Sequence, residues 1–228
     1  MTILYFLGLM VVWILVAGLG LEIGHHRYFS HSSFECSRTI ARIMAFLGSL
    51  SLTGTPVFWA AVHRGFHHKY TDTERDIHSP IHGLWYSYIG WTFDSKVTDS
   101  IPIAYAGKKC LGDSFIMFLQ KHYYMIVISF FLLVFLISPS FFFLSFIPAI
   151  FLAFNQGLIV NVLCHNEKFG YVNYNIPNSS RNSRWLSLLT FGLALHNNHH
   201  KFPSVSNYAM NKYEVDPGYI LMRLLRLV

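Results

Sequence analysis

The chain has 228 residues, of which 53% are apolar, 17% aromatic and only 12% charged, with 13 histidines and a formal net charge of +6. An ordinary soluble domain carries about a quarter charged residues, so this composition excludes a solvated monomer, a disordered tail and a coiled coil. The basic balance has no basic run longer than Lys108-Lys109 and no nucleic-acid motif, so it points to a membrane surface and not to nucleic acid.

Residues 1–21 hold no charge, and Glu22 is the first. A helical crossing needs about 20 apolar residues at about 1.5 Å each, so Ile3 to Gly24 is expected to be one span. It lacks a basic leader and an A-x-A-like site, which argues against a cleaved signal peptide. The next apolar segment, Ile40 to Val62, would pass as a crossing on hydropathy. It contains Arg42, Ser49, Ser51, Thr53, Gly54, Thr55 and Pro56, and crossing there would separate histidines that belong together, so an interfacial helix is expected. Trp85, Tyr86, Tyr88 and Trp91, and later Trp185 to Leu195, are also read as half-buried helices at headgroup level. A second charge-free stretch of 45 residues runs from His122 to Asn166. It has room for two spans, Lys121 to Ile137 and Phe141 to Leu163, joined at Ser138-Pro139-Ser140.

All 17 Lys and Arg lie in 27–121 or 168–226. By the positive-inside rule the apolar tips face outward and the basic segments face the cytoplasm. The expected architecture is an all-α membrane protein of about three transmembrane helices. Interfacial and cytoplasmic helices form a histidine-rich cap, and residues 1–228 are one domain with a cap of 25–120 and 164–228. Cys36, Cys110 and Cys164 form no CxxC pair and are read as reduced structural thiols.

The histidines gather in three clusters: HRYFSH with His26 and His31, preceded by His25; HRGFHH with His63, His67 and His68; and HNNHH with His196, His199 and His200. Asn161 and His165 add a pair four apart at the inner end of the last span. On a helix, positions i, i+3 and i+4 share an arc of about 60°, so His196, His199 and His200 can point at one centre, and His63 shares a face with His67. Eight clustered histidines plus His165 exceed what one ion coordinates, so two metals sharing a cage are expected. Neutral imidazole suits iron, zinc and copper alike. His25, His78, His82 and His122 are read as bystanders. A proton-relay transporter is disfavoured because the clusters lie outside the spans, which hold a single Glu at one end.

These boxes, their order and their spacing resemble the membrane fatty acid desaturases, in particular the acyl-CoA Δ9 (stearoyl-CoA) branch, over His26 to Pro203. HRYFSH resembles that branch's HRxxSH box, HHKYTDTERDIHSPIHGLWYSYIGW its second box and downstream segment, and HNNHHKFP its third. The resemblance implies an enzyme that introduces a cis double bond, at Δ9, into a saturated acyl chain. It implies two iron ions, O2 as co-substrate, and an external donor of the cytochrome b5, ferredoxin or rubredoxin type. It also implies an integral membrane protein of the bacterial inner membrane or endoplasmic reticulum, with a bent apolar tunnel and the iron centre on the cytoplasmic face. Carried over by position, the ligands are His26, His31, His63, His67, His68, His165, His196, His199 and His200, with Asn161 through water; Trp91 and Lys96 fall where substrate is contacted. A hydroxylase on an alkane, sterol or carotenoid is the alternative, and a non-catalytic metal-binding protein the more distant one.

Three departures stand out. The second box is HxxxHH where the branch has HxxHH, so the helix must distort locally to restore the cage. The helix that precedes the first-box helix in the family's four-span core has no counterpart, which leaves three spans with an outward N-terminus. The family's arginine-aspartate pair before the second box is Ala61-Val62, and the basic pair after GW is Ser95-Lys96; both contact CoA in the family, so the carrier is expected to be a lipid or acyl carrier protein.

Overall fold

The computed structural model describes residues 2–228. Among them the regular structure is helical, with only isolated bridges such as Tyr171 to Asn182 in place of strands.

Helix α1, Thr2–Ser30, is the first of two helices long and apolar enough to cross a membrane. It is α-helical to Trp13 and then widens to the i→i+5 π geometry from Ile14 to Ser30. Its outer half is exposed, with Ile3 at 77% and Leu4 at 71%, and its inner half is buried from Leu21 through Ser30. The switch falls close to where burial begins, at Val16.

The segment 40–62 forms two short helices. Helix α2, Arg38–Ser49, starts at Ser37, whose hydroxyl accepts from Ile40 N. At about 1.5 Å per residue its 12 residues span roughly 18 Å, well short of a hydrocarbon core. The chain then breaks, with Leu52 and Gly54 in left-handed conformations, and restarts at Pro56 behind a Thr55 cap. The restarted helix is α3, 56–70. Helix α2 lies close against α1, where a Cβ on Gly20 would stand 2.3 Å from Gly48 N, so only glycine permits the approach.

Helix α4, Ser114–Lys121, is capped by Asp113 and bends by 81° at His122 into α5, Tyr123–Ile137. The pair counts as a third span only if taken together. Lys121 therefore belongs to α4, and the apolar rod is the 15 residues of α5. Ser138 alone makes the turn, its hydroxyl capping the next helix at Phe141 N. That helix, α6, Pro139–Leu163, is the second clear span and starts two residues before the expected position. One apolar cluster packs between the spans around Val16, Val127, Phe146, Ile150 and Ala153. Another lies under the cap around Ile23, Phe29, Met44, Val57 and Leu119.

Short helices between Pro80 and Leu111 add to the cap, and its C-terminal part carries α7, Arg184–Leu189, α8, His196–Lys201, and α9, Pro217–Leu224. Trp85 and Trp185 are 72% and 83% exposed, the disposition of aromatic side chains that sit at a lipid interface.

Candidate metal centre

Four chain segments bring nine histidines together in two groups. The first comprises His26, His31, His63, His68 and His199; the second His67, His165, His196 and His200. Within each group one ligand atom per residue lies within 4.8 Å of every other.

The end of α1 supplies His26 and His31. They are five apart, and in the π geometry His31 N bonds His26 O, so both rings reach one group. The second box solves its extra residue the same way. Helix α3 opens into a π turn over His63–His67, closed by His68 N on His63 O. In an α-helix His63 and His68 would point about 140° apart; here their Nε2 atoms are 3.0 Å apart. Gly65 sits on this turn because a Cβ there would come within 2.2 Å of the Tyr105 ring.

Two expectations from helical spacing are corrected. His196, His199 and His200 do not aim at one centre: His199 joins the first group, while His196 and His200 join the second. His63 and His67 also part, one to each group. Helix α8 and the second box therefore lie between the groups, with the His68 and His200 rings stacked 4.4 Å apart. Helix α8 is pinned by Asn198, which donates to Tyr208 O and Glu214 and accepts from Asn173 and Asn182.

The electrostatics of the rings decide what they can hold. His26 donates from Nδ1 to Glu22 (3.0 Å), His67 to Asp76 (3.0 Å) and His165 to Asp72 (3.1 Å), and His196 Nδ1 lies 3.3 Å from Leu193 O. A neutral imidazole has one N–H, so these partners place the proton on Nδ1 and leave a bare lone pair on Nε2. Yet the Nε2 atoms of His165 and His196 approach to 2.9 Å, and those of His196 and His200 to 3.0 Å. The His165–His196 approach cannot be a hydrogen bond, because both lone pairs face inward with no proton between them. An electrophile at the centre of each group turns that repulsion into ligation, and histidine backed by carboxylate is the usual arrangement around a metal. The donor set fits.

Burial keeps His68, His196, His199 and His200 well below the ordinary histidine range, and so neutral and ligand-competent. Burial alone would raise Asp76, but His67 and His78 beside it hold it far below the carboxylate range. Asp72 is likewise lowered against its burial, by His165 and by the Ser179 amide and hydroxyl. Asp72 has φ +60°, a left-handed conformation that aims its carboxylate at both partners.

The remaining candidates lie around this core. Asn161, one turn before His165, is half-buried and bonds none of the nine histidines directly. Trp91 is buried, stacked on Phe58 and 5.5 Å from the His78 ring, while Lys96 is exposed on the cap. His25 is buried outside both groups with Nε2 3.3 Å from Ala45 O, His82 reaches Asp76 O, and His122 sits at the α4–α5 bend against Phe118. His78 proves closer to the centre than a bystander, sharing Asp76 with His67. Spacing alone did not single out Glu22, Asp72, Asp76, Trp59 or Tyr208. Trp59 stands 4.6 Å from His63, and Tyr208 stands 4.7 Å from His199. The signal for Glu22 was its place one turn before His26, and for the aspartates the TDTERD segment.

A family model described as fatty acid desaturase matches residues 2–216. The chain belongs to the fatty acid desaturase family. Among its relatives, the sn-1 stearoyl-lipid 9-desaturase of a Synechocystis species is 33% identical over 96% of this chain and 68% of its own. The protein of the same name from Anabaena variabilis is 32% identical over 96% of this chain and 79% of its own. Delta-9 acyl-lipid desaturase 1 of Arabidopsis thaliana is 30% identical over 93% of this chain and 70% of its own. The chain is thus an oxidoreductase of the desaturase type, all-helical, with histidine clusters able to hold metal and two or three helices able to span a membrane.

Proposed function

We propose that this enzyme introduces a cis double bond at Δ9 into a saturated acyl chain carried on a lipid, at a diiron centre held by the nine histidines. The observation that carries the reading is the inward convergence of Nε2 lone pairs in groups of five and four, with Nδ1 protons tied outward to Glu22, Asp72, Asp76 and Leu193 O. An unactivated methylene C–H is beyond any side-chain base, and two bound iron ions supply the O2-derived oxidising power this step needs. The balance is –CH2–CH2– plus O2, two electrons and two protons giving –CH=CH– and two waters. The chain's own residues bind, orient and exclude water. His26, His31, His63, His68 and His199 would hold one ion and His67, His165, His196 and His200 the other, with Asn161 placed to assist through water.

The buried Trp91 and the half-buried Trp59 supply apolar walls, and we assign Trp91 and Lys96 to the substrate side. We assign the supply of the two electrons to a donor of the cytochrome b5, ferredoxin or rubredoxin type. A lipid carrier is favoured over CoA on two grounds. Ala61 and Val62 are buried core residues, where the acyl-CoA branch has a charged pair. Three of the relatives above are named as lipid-linked desaturases. The positive-inside rule puts the basic cap, and with it the iron centre, on the cytoplasmic face of one domain spanning 1–228.

The test is expression with an active donor in a host lacking its own desaturase, followed by fatty-acid profiling and iron analysis. The expected result is a cis-Δ9 monoene and two irons per chain. An alcohol product, no new product, or one metal per chain would overturn the reading.

A further inference from the structure

Glu22 is a carboxylate at the inner end of an apolar span, and it is completely buried. Its Oε1 accepts from two donors, His26 Nδ1 at 3.0 Å and Arg27 Nε at 3.1 Å, while Oε2 has no partner. Arg27 is also completely buried and is already served by a second carboxylate, with Nη2 2.8 Å from Asp216 Oδ1. Asp216 is in turn fully occupied: Oδ1 also accepts from Tyr219 N, and Oδ2 accepts from Tyr208 N. Arg27 spends its remaining N–H groups on the carbonyls of Ser206 and Phe191 and lies over the Tyr208 ring. The buried unit therefore holds two carboxyl groups against one guanidinium, and the guanidinium makes its shorter contact with Asp216. A carboxylate buried without a counterion of its own is strongly disfavoured, so Glu22 carries a charge only where a further cation offsets it. The nearest group that can pass on a compensating charge is His26, which shares the Glu22 oxygen and whose Nε2 faces the five-histidine group.

Glu22 is also isolated in its role. Among the five histidines of that group, only His26 has an Nδ1 acceptor among the described residues, and His199 Nδ1 is buried with none. The four-histidine group has Asp72 and Asp76 behind it, and neither forms an ion pair with a lysine or arginine among the described residues.

We propose that Glu22 is the positioning and charge-compensating residue of the five-histidine site: it turns the His26 lone pair inward, and its charge offsets the cation held there. The inference rests on the metal reading above and deepens it, by assigning the five-histidine ion a counter-charge of its own on α1. A carboxylate acting through a metal-bound histidine sets affinity by about 10–100-fold. Substitution should therefore act on one ion of two.

The experiment is an anaerobic chelator titration of the full iron-loaded chain, comparing wild type with Glu22→Gln, Glu22→Asp and Asp72→Asn. Glu22→Gln keeps an oxygen for the His26 Nδ1 proton but removes the charge. It should release one iron at roughly 10–100-fold lower chelator concentration and leave the second iron at its wild-type midpoint. Glu22→Asp keeps the charge and should stay within a few-fold of wild type, so the test survives if the glutamine variant folds poorly. Asp72→Asn should weaken the other ion, and the double variant Glu22→Gln/Asp72→Asn should weaken both. Two wild-type midpoints in Glu22→Gln, or a parallel shift of both irons, would overturn the proposal in favour of a merely structural role. So would a Glu22→Asp variant that releases iron as readily as Glu22→Gln. Wild-type protein that holds fewer than two irons would instead overturn the diiron reading itself.

Discussion

The five-histidine and four-histidine groups use the same ligand and are built differently. In the four-histidine group three of the rings are fixed from behind, by Asp76, Asp72 and Leu193 O, so their orientation is set by hydrogen bonds. In the five-histidine group only His26 is fixed this way, and the others are held by ring packing, His63 against Trp59 and His199 against Tyr208. One group has more ligands and looser ones; the other has fewer and a stiffer mount. Rigid mounting favours tight binding, whereas ligands held by packing can reorient at lower cost. The five-histidine site is therefore the one expected to exchange its ion faster.

The largest expected effect comes from removing a ring that no neighbour can replace. His199→Ala should cut product formation by more than about 100-fold, since even partners behind a ligand are worth 10–100-fold. Fatty-acid profiling of the expressed variant reads this, and full activity would break the assignment. Next, Asp76→Asn and Asp72→Asn should each lower the affinity of one ion about 10–100-fold, read by chelator titration. Equal loosening of both ions would erase the distinction between the groups. Third, Gly65→Ala drives a Cβ to within 2.2 Å of Tyr105 at the π turn. Overpacking of that kind costs about 1–3 kcal/mol, a melting-temperature drop of a few degrees, measurable by thermal unfolding.

The smallest effect is in pH. Burial lowers His78 from 6.5 to about 4, so the unfolded chain takes up this proton at higher pH than the folded one. The stability due to keeping His78 neutral is full above pH 6.5 and declines as pH falls toward 4. The wild type should lose more melting temperature than His78→Phe over that window, and identical curves would show that His78 does not titrate there.

The clustering of histidines in three boxes, with His165 apart, marks the nine that the structure gathers, but helical spacing within each box does not tell which of them share a centre. How they divide was not legible, since it depends on the approach of α8 to the second box, which no spacing within either segment encodes. The distortion at His63 could be anticipated from one surplus residue, and it takes the form of a π turn. The break after α2 was legible through Gly54 and Pro56. The bend at His122 was not, as the apolar pattern runs on through it. Glu22 was visible as the one acid at a span end, but its meaning depends on Arg27 and Asp216, nearly two hundred residues apart in sequence.

The six residues of α8 send His199 to one group and His196 and His200 to the other. The separation of the two histidine groups is thereby tied to a length of backbone that cannot stretch, about one and a half turns of helix. Any force on Asn198 and its partners that tilts this short rod moves histidines of both groups at once. The two groups share one lever, and neither can be adjusted alone from that side.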